Sequence, residues 1–246
     1  RIKDETYLKV VRSVKLASLG QLSAGIAHEI NNPLTAVLSY SSLLLDKATT
    51  PKEQAWLQII VDETKRCRNI VAGLLEFSRQ TMPEKMLTDI NDIIERAVTL
   101  LRNQEWFHNI SIVKKMDAGV PKVRVDRGQL YQVFMNLMIN ASDAMNRNGT
   151  LTVESRVNVV KSTVSVDRRF VEVVFTDTGC GISENVLERL FDPFFTTKGP
   201  TQGTGLGLSI CYGIIRRHDG NITVKSKPGK GAAFTISLPA SGGEDG

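Results

Sequence analysis

Cysteine, histidine and long apolar runs are all scarce in this chain, and each scarcity excludes something. Its 246 residues contain no stretch near the roughly 18 apolar residues that a membrane-spanning helix needs. The three cysteines, Cys67, Cys180 and Cys211, are widely spaced without a CxxC pair. That excludes a zinc site or a disulfide frame and points to a reducing compartment, with the thiols expected as small packing residues. Aromatics are 6% of the chain, and the net charge of +5 comes from scattered Lys and Arg with no dense basic run. Nucleic acid is therefore not an expected partner. There is no signal peptide, and the first residue is Arg1 rather than Met. The chain reads as a cytoplasmic piece of a longer protein, with a sensor region or membrane anchor expected upstream.

What is present divides into two halves with different periods. From Leu16 the apolar positions Leu19, Ser23, Ile26, Ile30, Val37 and Leu44 follow alternating steps of three and four. After a polar loop, DKATTPKE, the same spacing returns from Leu57 through Ile60, Thr64, Cys67, Val71 and Leu74 to Ser78. Two helices joined by a short loop form a hairpin, and one hairpin cannot cover both stripes. A homodimer forming a four-helix bundle is the economical solution. Residues 1–79 are assigned to this all-α part, and residues 80–88, with Pro83, to a linker. Residues 89–240 then mix helices near 89–104, 127–146 and 206–218 with strands ISIVKK, VRVD, LTVESRV, VEVVFTD, NITVKS and AAFTISL. That order predicts an α+β two-layer sandwich with antiparallel hairpins. Residues from Ala240, and the tail 241–246 above all, are expected to be disordered.

Three stretches of the second half carry chemistry. NLMINASDAM sets Asn136 and Asn140 four apart on one face of a core helix, where buried amides need partners. An amide oxygen such as that of Asn140 is a suitable hard ligand for Mg2+. In DTGCGI, directly after a β-branched strand, Asp177 can accept from an exocyclic amine. Gly179 and Gly181 are expected to turn the backbone through positive φ beside a flat ring. In GTGLGLSI, the segment Gly203, Thr204, Gly205, Leu206 and Gly207 runs into a helix, so its N–H groups are suited to phosphate. It is neither the dinucleotide fingerprint nor a P-loop. The intervening FDPFFTTKGPTQ is long for a connection and reads as a lid, with Lys198 within reach of phosphate.

In order, NLMINASDA, DTGCGI, FDPFFTTK and GTGLGL resemble the N, G1, F and G2 boxes of the ATP-binding domain shared by histidine kinases, type II topoisomerases, certain chaperones and mismatch-repair ATPases. Upstream, AHEINNPL (residues 27–34) resembles the phosphoacceptor box of a sensor histidine kinase, and with LLEFSR it is most similar to the nitrogen-regulation branch. The resemblance spans residues 10–239. It implies a Bergerat-type ATP fold, ATP and Mg2+ as cofactors, autophosphorylation of His28 at Nε2, and transfer to an aspartate of a response-regulator receiver domain. The heptad places His28 at the outward f position, where a separate domain can reach it. Imidazole is nucleophilic near neutral pH, and Glu29 is placed to fix its tautomer and take its proton. Asn32, one turn further on, is implied to orient a phosphoryl group or a hydrolytic water, giving a regulator phosphatase activity; a local cap ahead of Pro33 is the other reading. Pro33 itself is expected to bend the helix. The rival classes are a clamp-closing ATPase of the same superfamily, which needs no AHEINNPL, and a non-catalytic dimeric signalling module, which would show damaged glycine boxes.

Overall fold

A computed structural model describes residues 30–78, 83–160, 168–198 and 203–241. His28, Glu29 and the stripe from Leu16 to Ile26 lie outside the described residues. Helix α1 is described over 30–47, and α2 spans Pro51–Ser78. The connection is shorter than the polar stretch DKATTPKE suggests, because Pro51, Lys52 and Glu53 already belong to α2. The local sequence explains this. Thr50 Oγ1 accepts from Glu53 N at 3.2 Å while Glu53 Oε2 accepts from Thr50 N at 3.2 Å, a reciprocal cap with proline at the first helical position. These bonds hold the Glu53 carboxyl below its ordinary pKa. Helix α1 continues through Pro33 rather than ending there, and Thr35 Oγ1 donates to Asn31 O at 2.8 Å. Among the described residues no helix is long and apolar enough to cross a membrane.

Cα packing separates two compact units. One takes in both helices and the segment Pro193–Gly207; the other comprises Met82–Asp192 and Leu208–Gly246. In the helical unit, Ser41, Val61, Thr64 and Val71 are buried. The predicted row Ile30, Val37 and Leu44 stays exposed on α1, as does Ile60 on α2. Cys67 is exposed as well, so it is not the packing residue expected; only Cys211 is buried, and Cys180 is exposed.

The second unit opens with a strand that the linker assignment missed, β1 (Met86–Thr88), paired antiparallel with β3 (Val123–Val125). Three residues with little alternation carry too weak a signal to be seen. Helix α3 (Ile90–Arg102) follows, N-capped by Asp89, with Ile90, Ile93, Ile94, Ala97, Val98 and Leu101 buried along one face. A single 3₁₀ turn, Glu105–Phe107, leads to β2 (Ile110–Met116). Helix α4 (Arg127–Ala144) then precedes β4 (Gly149–Val160) and β5 (Arg168–Asp177). A short helix, α5 (Glu184–Leu187), also went unread. The unit closes with α6 (Gly207–Arg217), β6 (Asn221–Ser226) and β7 (Ala232–Pro239).

The five-stranded sheet has the order β2-β4-β5-β7-β6. Its pairs are antiparallel as expected except β2 with β4, which run parallel. The chain between those two passes through β3 and α4, the crossover that a parallel pair requires. Alternation sets the inner face: Leu151 and Val153 of β4, Val171, Val173 and Phe175 of β5, and Phe234, Ile236 and Leu238 of β7 are all buried. Helices α3 and α4 pack together, and α4 packs on β4 and β5, with the Phe134 and Phe175 rings 5.3 Å apart. The fold is thus the predicted two-layer α+β sandwich. The tail differs at its start. Ala240 bridges Val123, and Ser241 N donates to Lys122 O at 3.0 Å, so these residues are paired rather than disordered.

His218, at the end of α6, joins the two helices that frame the sheet. It is 2% exposed. Its Nε2 accepts from Asp126 N at 2.9 Å, and its Nδ1 faces Ile214 O at 2.9 Å, which fixes the neutral Nδ1–H tautomer. Burial, chiefly, pushes the imidazole below its ordinary pKa; the Lys85 and Arg217 charges add to this, against the Ile214 carbonyl and Asp126. Protonation would remove the acceptor for Asp126 N. Since the unfolded chain binds this proton more readily, its contribution to stability is complete above about pH 6.5 and declines as pH falls toward the lowered folded value. Denaturant unfolding between pH 7.5 and 5 is expected to show stability falling with pH, and His218→Gln to flatten that slope. An unchanged slope in the variant would remove His218 as its source.

Candidate active site

The site is built on α4 and the turn after β5. Asp126 caps α4 by accepting from Gln129 N at 3.0 Å. The helix buries Leu130, Val133, Phe134, Leu137, Met138 and Ala141 against the sheet. That choice of face decides where the asparagines go. Asn136 and Asn140 are half-buried on the side turned from the core, not buried amides as the apolar neighbours suggested. Their separation of four residues stacks them one turn apart, about 6 Å along the axis. They form a half-exposed row of amides on α4.

Asp177 ends β5 on the inner face and is 4% exposed. Its Oδ1 accepts from Gly179 N at 2.8 Å and from Ala232 N at 3.3 Å. No donor reaches Oδ2 among the described residues, which leaves that oxygen for an incoming N–H. Burial raises the carboxyl above its ordinary pKa, opposed by the backbone N–H groups of Gly179, Ala232 and Asp177 itself. A buried acid with one oxygen tied back and one open is a fixed hydrogen-bond acceptor, as recognition of an exocyclic amine requires.

The glycines of DTGCGI serve different constraints. Gly181 does take positive φ, 71°, and a Cβ there would collide with the carbonyl of Lys227. Gly179 does not adopt the left-handed region, contrary to expectation. It is required for approach: a Cβ would lie 2.6 Å from Ala144 O, where Cys180 N donates to that same carbonyl at 3.0 Å. The turn is thereby pinned to the last residue of α4. Sequence reasoning missed its other fastening. Ser226 Oγ accepts from Ile182 N at 2.8 Å and donates to Gly231 O at 2.6 Å, and Gly229 N donates to Cys180 O at 2.7 Å. Gly231, φ 73°, passes so close to the Asp177 carbonyl that no side chain fits. The KPGKG turn is visible in the sequence, but its contact with a loop some fifty residues earlier is not.

In the segment Pro193–Gly207 the described residues, 193–198 and 203–207, have constraints of their own. Phe194 has φ 64°, uncommon for an aromatic residue, and Gly205, φ 68°, lies against its backbone too closely for a Cβ. Thr196 Oγ1 accepts from Lys198 N at 3.1 Å and would lie 2.8 Å from a Cβ on Gly203. Thr204 Oγ1 accepts from Leu206 N at 3.4 Å, and Leu206 is buried. Gly207 opens α6, and a Cβ added there would meet nothing within 4 Å, so its constraint is not steric. On α1, Asn32 is exposed.

A two-layer sandwich in which a buried strand-end acid meets a helix lined with accessible amides defines an ATP-binding class of domain, and comparison with known proteins agrees. Residues 125–242 match the histidine kinase-, DNA gyrase B- and HSP90-like ATPase family, and residues 18–83 match the His Kinase A (phospho-acceptor) domain. The signal transduction histidine-protein kinase AtoS of Escherichia coli (strain K12) is 33% identical over 238 residues, covering 96% of this chain and 37% of AtoS. The chain therefore spans well under half the length of that relative. The catalytic domain of histidine kinase ThkA is 34% identical, with a TM-score of 0.52, covering 64% of this chain and 96% of that domain. ThkA in complex with response regulator protein TrrA aligns over 96% of this chain and 66% of ThkA, at 28% identity and a TM-score of 0.63. The chain belongs to the histidine kinase family.

The different constraints on the glycines separate in a stability measurement. Gly179→Ala is expected to destabilise by about 1–3 kcal/mol in urea unfolding, since its Cβ meets backbone that cannot yield. Gly207→Ala is expected to stay within about 0.5 kcal/mol of the parent. Equal effects would show that close approach to Ala144 is not what holds Gly179 in place.

Proposed function

We propose that this chain is the core of a sensor histidine kinase that binds ATP with Mg2+ and autophosphorylates His28. The observation that carries this reading is the pairing, within one unit, of the open Asp177 carboxylate oxygen with the accessible Asn136 and Asn140 amides, in a chain whose first part matches a phospho-acceptor domain. Asp177 reads the adenine amine. Gly179 and Gly181 bring backbone against the ring. The N–H groups of Gly203, Thr204, Gly205, Leu206 and Gly207 and the Lys198 ammonium are assigned to the phosphates. Asn140 fits Mg2+ as a hard oxygen donor accessible on α4, and the metal when bound would neutralise charge on the polyphosphate. Asn136 supports the same face.

Phosphoryl transfer needs positioning and charge neutralisation more than covalent chemistry. The lone pair of His28 Nε2 forms the P–N bond as the bond from the γ-phosphorus to the bridging oxygen breaks, and ADP leaves. Glu29 accepts the Nδ1 proton. The phosphoramidate then donates to an aspartate of a receiver domain; ThkA, a relative, is known in complex with a response regulator. Asn32, exposed on α1 and four positions after His28 in the sequence, is assigned to orient a water that hydrolyses the regulator's aspartyl phosphate, releasing inorganic phosphate. Ile30, Val37, Leu44 and Ile60 leave an apolar face open on the hairpin, which supports a homodimer closing a four-helix bundle. In domain terms, residues 1–79 are assigned to dimerisation and to carrying the acceptor, and the ATP-binding part, expected over 89–240, extends back to take in β1 (Met86–Thr88) from the expected linker 80–88.

Incubation with γ-labelled ATP and Mg2+ tests the reading. Acid-labile, alkali-stable label is expected on the parent and none on His28→Gln. Label that survives this substitution would exclude His28 as the acceptor. ATP hydrolysis without labelling would favour a superfamily ATPase, and neither activity a non-catalytic module.

A further inference from the structure

Ser226 is the last residue of β6, half-buried on the edge strand of the five-stranded sheet. Its hydroxyl makes two bonds at once: Oγ accepts from Ile182 N at 2.8 Å and donates to Gly231 O at 2.6 Å. The second bond reaches beyond the hairpin it lies in. The Gly231 carbonyl belongs to the same peptide group as the Ala232 N–H, and that N–H donates to Asp177 Oδ1 at 3.3 Å. One planar amide therefore connects the serine hydroxyl to the carboxylate. Turning that plane moves its C=O and its N–H together, so the aim of the Ala232 N–H depends on what holds the Gly231 carbonyl. Gly231 also lies against the Asp177 main chain, where a Cβ would strike the carbonyl oxygen.

The carboxylate needs this second tether. Gly179 N holds Oδ1 at 2.8 Å from within the turn, and Ala232 N holds the same oxygen from 55 residues further along the chain. A single donor would leave the group free to swing about that oxygen. Two donors from separate segments fix its rotation, and with it the direction in which Oδ2 faces. We propose that Ser226 is a positioning residue for adenine recognition: through the Gly231–Ala232 peptide it aims the Asp177 carboxylate, and through Ile182 N it holds the far end of the turn. This rests on the reading of Asp177 as the acceptor of the adenine amine; Ser226 itself contacts no part of the nucleotide. A hydrogen bond depends on direction, and an acceptor set in advance binds more tightly than one ordered during binding. The serine thus acts on the contact that distinguishes adenine from a purine without the amine. A hydroxyl that only stabilised the hairpin would leave that distinction untouched.

Calorimetry with ATP and with purine riboside triphosphate, which lacks the exocyclic amine, tests this. The parent is expected to prefer ATP by about tenfold or more, the size of one hydrogen bond to a carboxylate. Ser226→Ala is expected to lose most of that factor for ATP and little for the analogue, so that the preference shrinks toward unity. Ser226→Thr, which keeps the hydroxyl, is expected to restore it. Thermal melting checks folding. Should Ser226→Ala not fold, Ser226→Cys carries the same expectation, since sulfur fills the space but is a weak donor and acceptor. Equal losses for both nucleotides, or an unchanged preference in the folded variant, would make Ser226 merely structural and overturn the proposal. A parent that binds both nucleotides equally would overturn Asp177 as the amine acceptor, and one that binds neither would overturn the ATP reading; the role of Ser226 falls with either.

Discussion

Everything in the second unit depends on how α4 divides its surface. Val133, Phe134, Leu137, Met138 and Ala141 press one side onto the sheet, with Phe134 meeting Phe175 across the layers. That burial orients Asn136 and Asn140 outward. At its first turn the helix is tied to α6 through Asp126 and His218, and at its last residue to the DTGCGI turn through Ala144. A helix held at both ends and along one face has no freedom to roll. The positions of its polar residues are thus set by apolar packing, in the way a binding site on a rigid element should be.

Much of this was legible in the sequence. Helical and strand periods marked every element that buries an alternating or a three-four pattern, because burial is what creates those patterns. Strand β1 and helix α5 escaped because Met86–Thr88 and Glu184–Leu187 are short and lack the alternation that marks the equally short VRV of β3. The parallel pairing of β2 with β4 escaped because pairing partners are a property of the crossover between them, not of either strand. The glycine-rich stretches were located correctly, yet the reason for Gly179 was not: a positive φ and a close approach both select glycine, and only the position of Ala144 separates them. The fastening of the turn by Ser226 and Gly231 joins residues too distant in sequence for any local signal.

The thiols and the amides show the same limit from another side. Cys67 lies in the apolar register of α2 and is exposed, because register alone does not say whether a partner covers that side. Asn136 and Asn140 sit among Leu, Met and Ile and remain accessible, because a helix of mixed composition leaves open which arc faces the core. Burial had to be seen before either could be placed.

The DTGCGI turn has a consequence for inhibitors. Gly179, Gly181 and Gly231 present main chain because side chains would strike Ala144, Lys227 and Asp177. A compound that competes by engaging the Asp177 carboxylate and these backbone atoms meets a surface the gene has almost no means of altering, since single-codon changes there disturb the fold before they disturb the contact. Resistance would have to arise outside this turn. A pharmacophore confined to the turn would be the harder one to escape.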